Sequence, residues 1–209
     1  MMKVNLALMA MFVGCLTLTV SPAGAQQSVT CTGTLAPGTY NNVNVPTGAS
    51  CTLSSPIAII GNIIVAARAT LLPATGMVTP PGVHIDGSVI ATNALSVTLA
   101  GIVTVGKNIT LQGTTGQVEI AAVNIGGNAQ IVGSLVGPLS IESNNILGNV
   151  AVNGNNTVST INVIANNTIG GNLVCVQNTP GPNNIVVVPP PTPLPNTVGG
   201  NKVGQCTGL

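Results

Sequence analysis

The sequence predicts an all-β fold: a single-stranded parallel β-helix (β-solenoid) with turns of about 20 residues, stapled by a disulfide at each end. Three observations carry this. A Gly/Asn turn followed by alternating apolar residues recurs along the chain at a nearly constant spacing. The chain joins 26 glycines and abundant Val, Ile and Leu to one Tyr, one Phe and no Trp, and β-branched residues favour strands. Beyond the N-terminal segment an even set of cysteines remains, Cys31 and Cys51 toward one end and Cys175 and Cys206 toward the other.

The N-terminal segment comes first. Residues 1–25 have the pattern of a secretory signal peptide: Met1-Met2-Lys3, an apolar run over 4–20, then Ser21-Pro22-Ala23-Gly24-Ala25 with small residues at its end. Cleavage after Ala25 leaves Gln26 as the new N-terminus. A membrane anchor is the competing reading, but Gly14, Thr17 and Thr19 interrupt the run and Pro22 ends it, so it suits a spanning helix poorly. Phe12-Val13-Gly14-Cys15 faintly resembles a lipobox, although Phe is unusual at its first position and the apolar run continues past the cysteine.

Residues 26–209 then form one domain, long enough for one sizeable core. Arg68, Lys107 and Lys202 balance Asp86, Glu119 and Glu142, so this part carries no formal net charge. That leaves no basic patch for nucleic acid or an anionic membrane. It leaves no acidic cluster for cations either. So few charges and aromatics would suggest disorder, except that disordered segments lack this density of branched aliphatic residues.

The repeat carries the fold. It appears as Asn41-Asn42-Val43-Asn44-Val45, Gly61-Asn62-Ile63-Ile64-Val65, Gly87-Ser88-Val89-Ile90-Ala91 and Lys107-Asn108-Ile109-Thr110-Leu111. It continues as Gly127-Asn128-Ala129-Gln130-Ile131, Gly148-Asn149-Val150-Ala151-Val152 and Gly171-Asn172-Leu173-Val174-Cys175, and ends in a degenerate Gly200-Asn201-Lys202-Val203. Taking Asn (or Ser88) as the phase marker, the markers are Asn42, Asn62, Ser88, Asn108, Asn128, Asn149, Asn172 and Asn201. Their steps fit one unit of about 20 residues, lengthened by loop insertions after Asn62 and toward the C-terminus. The first and third positions after the marker are apolar in every full unit, and the position between them is mixed. Period-two alternation inside such a period means one strand per turn with two side chains pointing inward.

Leu95-Val97-Leu99, Val118-Ile120, Leu139-Ile141 and Ile161-Val163 predict a second strand per turn. Ile57-Ile59, Val83-Ile85, Val103-Val105 and Val123-Ile125 predict a third. One unit cannot bury its own apolar face, whereas units stacked about 4.8 Å apart build a continuous core. Asn at one phase on successive turns can form a ladder of amide hydrogen bonds. Ordinary hairpin turns in an antiparallel sandwich would explain the Gly-Asn pairs but not their constant phase.

This pattern resembles bacterial right-handed parallel β-helix proteins. The signature Gly170-Gly171-Asn172-Leu173-Val174-Cys175, followed by Gly204-Gln205-Cys206, looks like that of uncharacterised secreted bacterial proteins. The resemblance spans nearly all of 26–209 and implies a fold more firmly than an activity.

The period also suggests disulfides, which an exported chain favours. Cys31 and Cys51 lie one period apart, so they should sit one above the other on adjacent turns, within bridging distance. Cys175 and Cys206 are separated by one unit plus an insertion. The expected pairs are Cys31–Cys51 and Cys175–Cys206, each closing an end where a solenoid exposes its core. The Pro-rich segment within 185–196 cannot belong to a central strand and favours an extended polyproline conformation. It is expected to be a stiff loop inserted in the last turn and covering the C-terminal end, with partner docking as the functional alternative.

Chemistry is sparse. His84 and Asp86 share a face of a predicted strand and could act as base and orienter, but catalysis also needs a nucleophile or a metal. No G-x-S-x-G or H-E-x-x-H occurs, and one His is thin provision for a metal site. The pair is therefore expected to be an exposed polar pair at a loop edge. Many β-helices are polysaccharide lyases or hydrolases with stacked carboxylates. Here Asp86, Glu119 and Glu142 fall at different phases, and are expected on different faces or corners, as are Arg68 and Lys107. Tyr40 alone gives almost no support for stacking on sugars, and Thr70, Thr98 and Thr110 share no phase, which speaks against an ice-binding row. Asn108-Ile109-Thr110, Asn155-Asn156-Thr157 and Asn166-Asn167-Thr168 match a glycosylation pattern and are taken as chance products of composition.

The expected role is a non-catalytic secreted structural or adhesive surface protein, either released or at the cell surface, with a periplasmic location also possible. It would act through a rigid uncharged surface whose outward Ile64, Ile90 and Val174 are apolar. Self-association, or a place in the cell surface or matrix, would follow from the low charge. No cofactor, no nucleic acid and no membrane span after signal cleavage are expected. The alternative is a degenerate polysaccharide-active β-helix, lyase- or hydrolase-like, with its site near 70–81 and His84 and Asp86.

Overall fold

A computed structural model describes residues 27–73, 82–134, 137–157, 162–186 and 192–209, and these described residues are all-β. The predicted signal peptide lies outside them, as do 74–81 of the first insertion, Ile161 and 187–191 at the centre of the Pro-rich segment. Strands wind as a parallel β-solenoid into a nine-stranded sheet, here the front sheet, and a thirteen-stranded sheet that wraps the other sides. Each turn contributes one strand to the front sheet and up to two to the wrapped one.

The front sheet follows the marker. Val43, Ile63, Val89, Ile109, Ala129, Val150 and Leu173 are in register from turn to turn and fully buried. The row two residues on, from Val45 to Cys175, is buried as well. Apolar side chains are thus heaped in vertical columns, so each turn hides its apolar face against the next. The third strand also holds its register, Ile57 against Val83, Val103 and Val123.

The second strand departs from expectation at two places. Leu95 lies just before its strand, Ser96–Val105, and is 50% exposed, so the inward pair there is Val97 and Leu99. In Asn162–Ala165 the residues under Leu139 and Ile141 are Asn162 and Ile164, one position later than the expected Ile161 and Val163. The run is apolar at both parities, so alternation cannot fix its register. Asn162 is tolerated inside because its Oδ1 accepts from Thr157 at 2.9 Å and its Nδ2 donates to the Pro180 carbonyl at 2.7 Å.

The marker residues form the expected ladder. The backbone N–H of Asn62, Ser88, Asn108, Asn128, Asn149, Asn172 and Asn201 each donates to the side-chain oxygen of the marker one turn earlier, at 2.8–3.2 Å. Two further ladders, not expected from the repeat, run inside the C-terminal turns. Asn144, Asn167 and Asn196 stack in one column: each Oδ1 accepts the backbone N–H of the preceding turn, and each Nδ2 donates to a strand carbonyl, Ile120, Ile141 and Ile164 in turn. Asn155, Asn178 and Gln205 repeat the pattern at another corner. Both pairs of expected disulfides are present, with Cα–Cα distances of 5.4 Å and 5.2 Å.

Contrary to the expectation from the period, Cys31 and Cys51 do not stand at equivalent positions of adjacent turns. Val29 pairs with Val43, so the first turn is markedly shorter along the front sheet than the next, which steps from Val43 to Ile63. Cys31 therefore stands beside Val45 at the end of a front strand, as its N–H to the Asn44 carbonyl shows, while Cys51 follows the next corner on the wrapped sheet. The bridge crosses a corner diagonally instead of linking equivalent positions. Cys206 likewise lies two residues beyond Gly204, the partner of Cys175, and folds beneath the last strand, where it is fully buried.

The Pro-rich insertion is anchored by an antiparallel pair, Ile185 with Pro193 and Val186 with Thr192. The Leu194 carbonyl accepts the Asn166 N–H at 2.9 Å. This ties the insertion to the side of the last turns.

Candidate functional site

His84 points outward from the third strand, in register with Ala58 and Thr104 on the adjoining turns. Asp86 follows at the corner that leads into the front sheet. Their side chains meet, Nε2 to Oδ1 at 2.8 Å, with 55% and 54% of each side chain exposed. This is the expected pair, set on an open strand edge. It borders a shallow depression of ≈ 340 Å³ lined by Gly38, Thr39, Pro56, Ile57, Ala58, Gly82 and His84. The carboxylate holds the imidazole ring in one orientation. The neighbouring Ala58 brings no reactive group to it, and Thr104 brings only a hydroxyl.

The carboxylates are placed differently from expectation. Glu119 stands opposite Ser140, and Glu142 opposite Ala121, so both glutamates project from one sheet face on adjoining turns, one pleat apart. Their different phases within the repeat hid this, because a two-residue offset within a strand keeps the same face. Asp86 does lie apart, at a corner. Gln117 donates to Glu119 at 2.9 Å and Ser140 donates to Glu142. Arg68 occupies a left-handed corner with φ 58° and Lys107 the Gly/Asn corner. Among the described residues no cluster of three or more His, Cys, Asp and Glu converges as metal ligands. Of the glycosylation patterns, Asn155-Asn156-Thr157 has its Asn155 fully buried in the second inner ladder.

The outer face of the front sheet is a continuous surface. Its central row runs Asn44, Ile64, Ile90, Thr110, Gln130, Ala151, Val174 and Val203, in register throughout. The row beside it holds Thr92, Gln112, Val132, Asn153 and Val176. No charged side chain stands in either row. Ile64 and Ile90 are directly stacked and 45% and 38% exposed. Sequence reading picks out Ile64, Ile90 and Val174 one by one; the register makes them parts of a single face.

Fold and surface together define a disulfide-stapled parallel β-solenoid with one uncharged sheet face. No protein-family model, curated protein or solved structure matches the chain, so the functional reading rests on its own residues.

Proposed function

We propose that the protein is a non-catalytic structural or adhesive component, exported through its N-terminal segment, that works by contact through its rigid uncharged solenoid surface. The supporting observation is the front row from Asn44 to Val203: apolar and amide side chains share it without a charge. Such a face offers low desolvation cost to a partner and no electrostatic repulsion to a like surface. Disulfides at both ends, and the lack of any helix among the described residues long and apolar enough to cross a membrane, are compatible with an extracellular or periplasmic site.

The test is retention. The purified 26–209 chain is expected to bind cells or extracted envelope or matrix material of its source, and Ile64→Lys/Val174→Lys to lose most of that binding while His84→Ala keeps it. In parallel, a panel of secreted glycans should remain uncleaved. Glycan cleavage that disappears in His84→Ala would overturn the reading, and so would retention indifferent to charge on the front face.

A further inference from the structure

We infer that the partner of the front face is a second copy of the same chain, seated on it with the turn order reversed; this rests on the contact function proposed above and names its partner. A two-fold axis lying in the interface along the strand direction turns the face onto itself and reverses the row. Under that operation Asn44 meets Val203, Ile64 meets Val174, Ile90 meets Ala151 and Thr110 meets Gln130. Aliphatic residues meet aliphatic residues at the inner positions, and the bulky Ile90 meets the smallest side chain of the row. At the centre the Thr110 hydroxyl and the Gln130 amide are each both donor and acceptor, so they can satisfy one another when desolvated. No charge is buried in the process.

The other axis open to a two-fold pair, along the solenoid, sets Ile90 against Ile90 and Ala151 against Ala151, bulk against bulk and gap against gap. A partner of either charge finds nothing to pair with on this face. The row is on the order of 35 Å long at about 4.8 Å per strand and about 12 Å wide. Roughly 800 Å² would be buried counting both copies, below the roughly 1,200 Å² of lasting complexes, so the pairing is reversible and concentration-dependent.

Sedimentation of the 26–209 chain over a wide concentration series tests this. The weight-average mass should rise toward twice the monomer for the wild type and for Thr104→Lys on the wrapped sheet. It should stay at the monomer for Ile90→Lys and Val174→Lys, with circular dichroism confirming that each variant is folded. The arrangement is read separately by mixing Ile90→Cys with Ala151→Cys under mild oxidation. The mixed cross-linked dimer should form several-fold faster than either homodimer, and faster Ile90→Cys homodimers would overturn the antiparallel seating. A wild type that is monomeric throughout yet still retained on envelope material through Ile64 and Val174 would overturn the self-partner while leaving the contact function standing. A dimer lost in Ile90→Lys, without any such retention, supports the self-partner and removes the adhesive role.

Discussion

At the Gly/Asn corner a single atom decides which residues fit. A Cβ added at Gly148 would lie 2.6 Å from the ladder oxygen of Asn128, closer than real Cβ contacts come. Lys107 and Asn41 occupy the same corner position, and in both cases the ladder residue of the preceding turn is a serine, Ser88 or Ser28, whose hydroxyl is shorter than an amide. Ser88→Asn should therefore destabilise the protein, while Ser88→Asn/Lys107→Gly should recover the loss, a coupling on the order of 1–2 kcal/mol by thermal unfolding. Additive effects would break this account. The inner and outer ladders should also differ. Asn167→Ala takes away, inside the core, the acceptor of the Asn144 backbone N–H and of one of its two amide hydrogens and the donor to the Ile141 carbonyl, and should cost roughly 3 kcal/mol or more. Asn149→Ala on the exposed ladder leaves its partners to water and should cost about 1 kcal/mol. Comparable losses in denaturant melts of the two would show that burial is not what sets the cost. The inner ladder was written in the sequence, since Asn144 and Asn167 are 23 residues apart, as are Asn155 and Asn178. It is hard to see there because no repeat of amides runs through the earlier turns, where the column that leads to Asn144 holds Val103 and Val123 instead.

Among the elements, the front strands are the most legible, because a tight corner with a side-chain ladder sits immediately before each of them and fixes their phase. The second strand is the least legible. The 74–81 insertion falls directly after one of these strands, Thr70–Pro73, and a run such as Ile161 to Ala165 carries apolar residues at both parities. The end elements depend on the disulfides. Cys31–Cys51 and Cys175–Cys206 close segments of 20 and 31 residues, and each should contribute about 3–4 kcal/mol by restricting the unfolded chain. Because turns contact only their neighbours, Cys175→Ser/Cys206→Ser should loosen the last turns first. Amides of Leu173 and Gly200 should exchange faster while those of Ile109 and Ala129 keep their protection. Uniform loss of protection in hydrogen exchange would mean that the solenoid unfolds as one unit.

For the whole molecule, the proposed contact function depends on what the stacking lines up. Single outward residues such as Ile64, Ile90 and Val174 mean little alone, since isolated exposed aliphatics are ordinary. In register they make one charge-free face, on which the predicted retention and self-pairing both depend. The local sequence determined the solenoid itself: apolar residues at fixed offsets from a recurring Gly/Asn corner can be buried only by stacking like on like. It also determined which cysteines pair, since both pairs lie near chain ends that a solenoid must close. Tertiary structure alone decided that the first turn is short, that Glu119 and Glu142 share a face, and that Asn162 sits in the core. Those outcomes rest on the lengths of insertions and on register between turns. A one-residue slip reverses inside and outside, and only the packed neighbours above and below determine which register is satisfied.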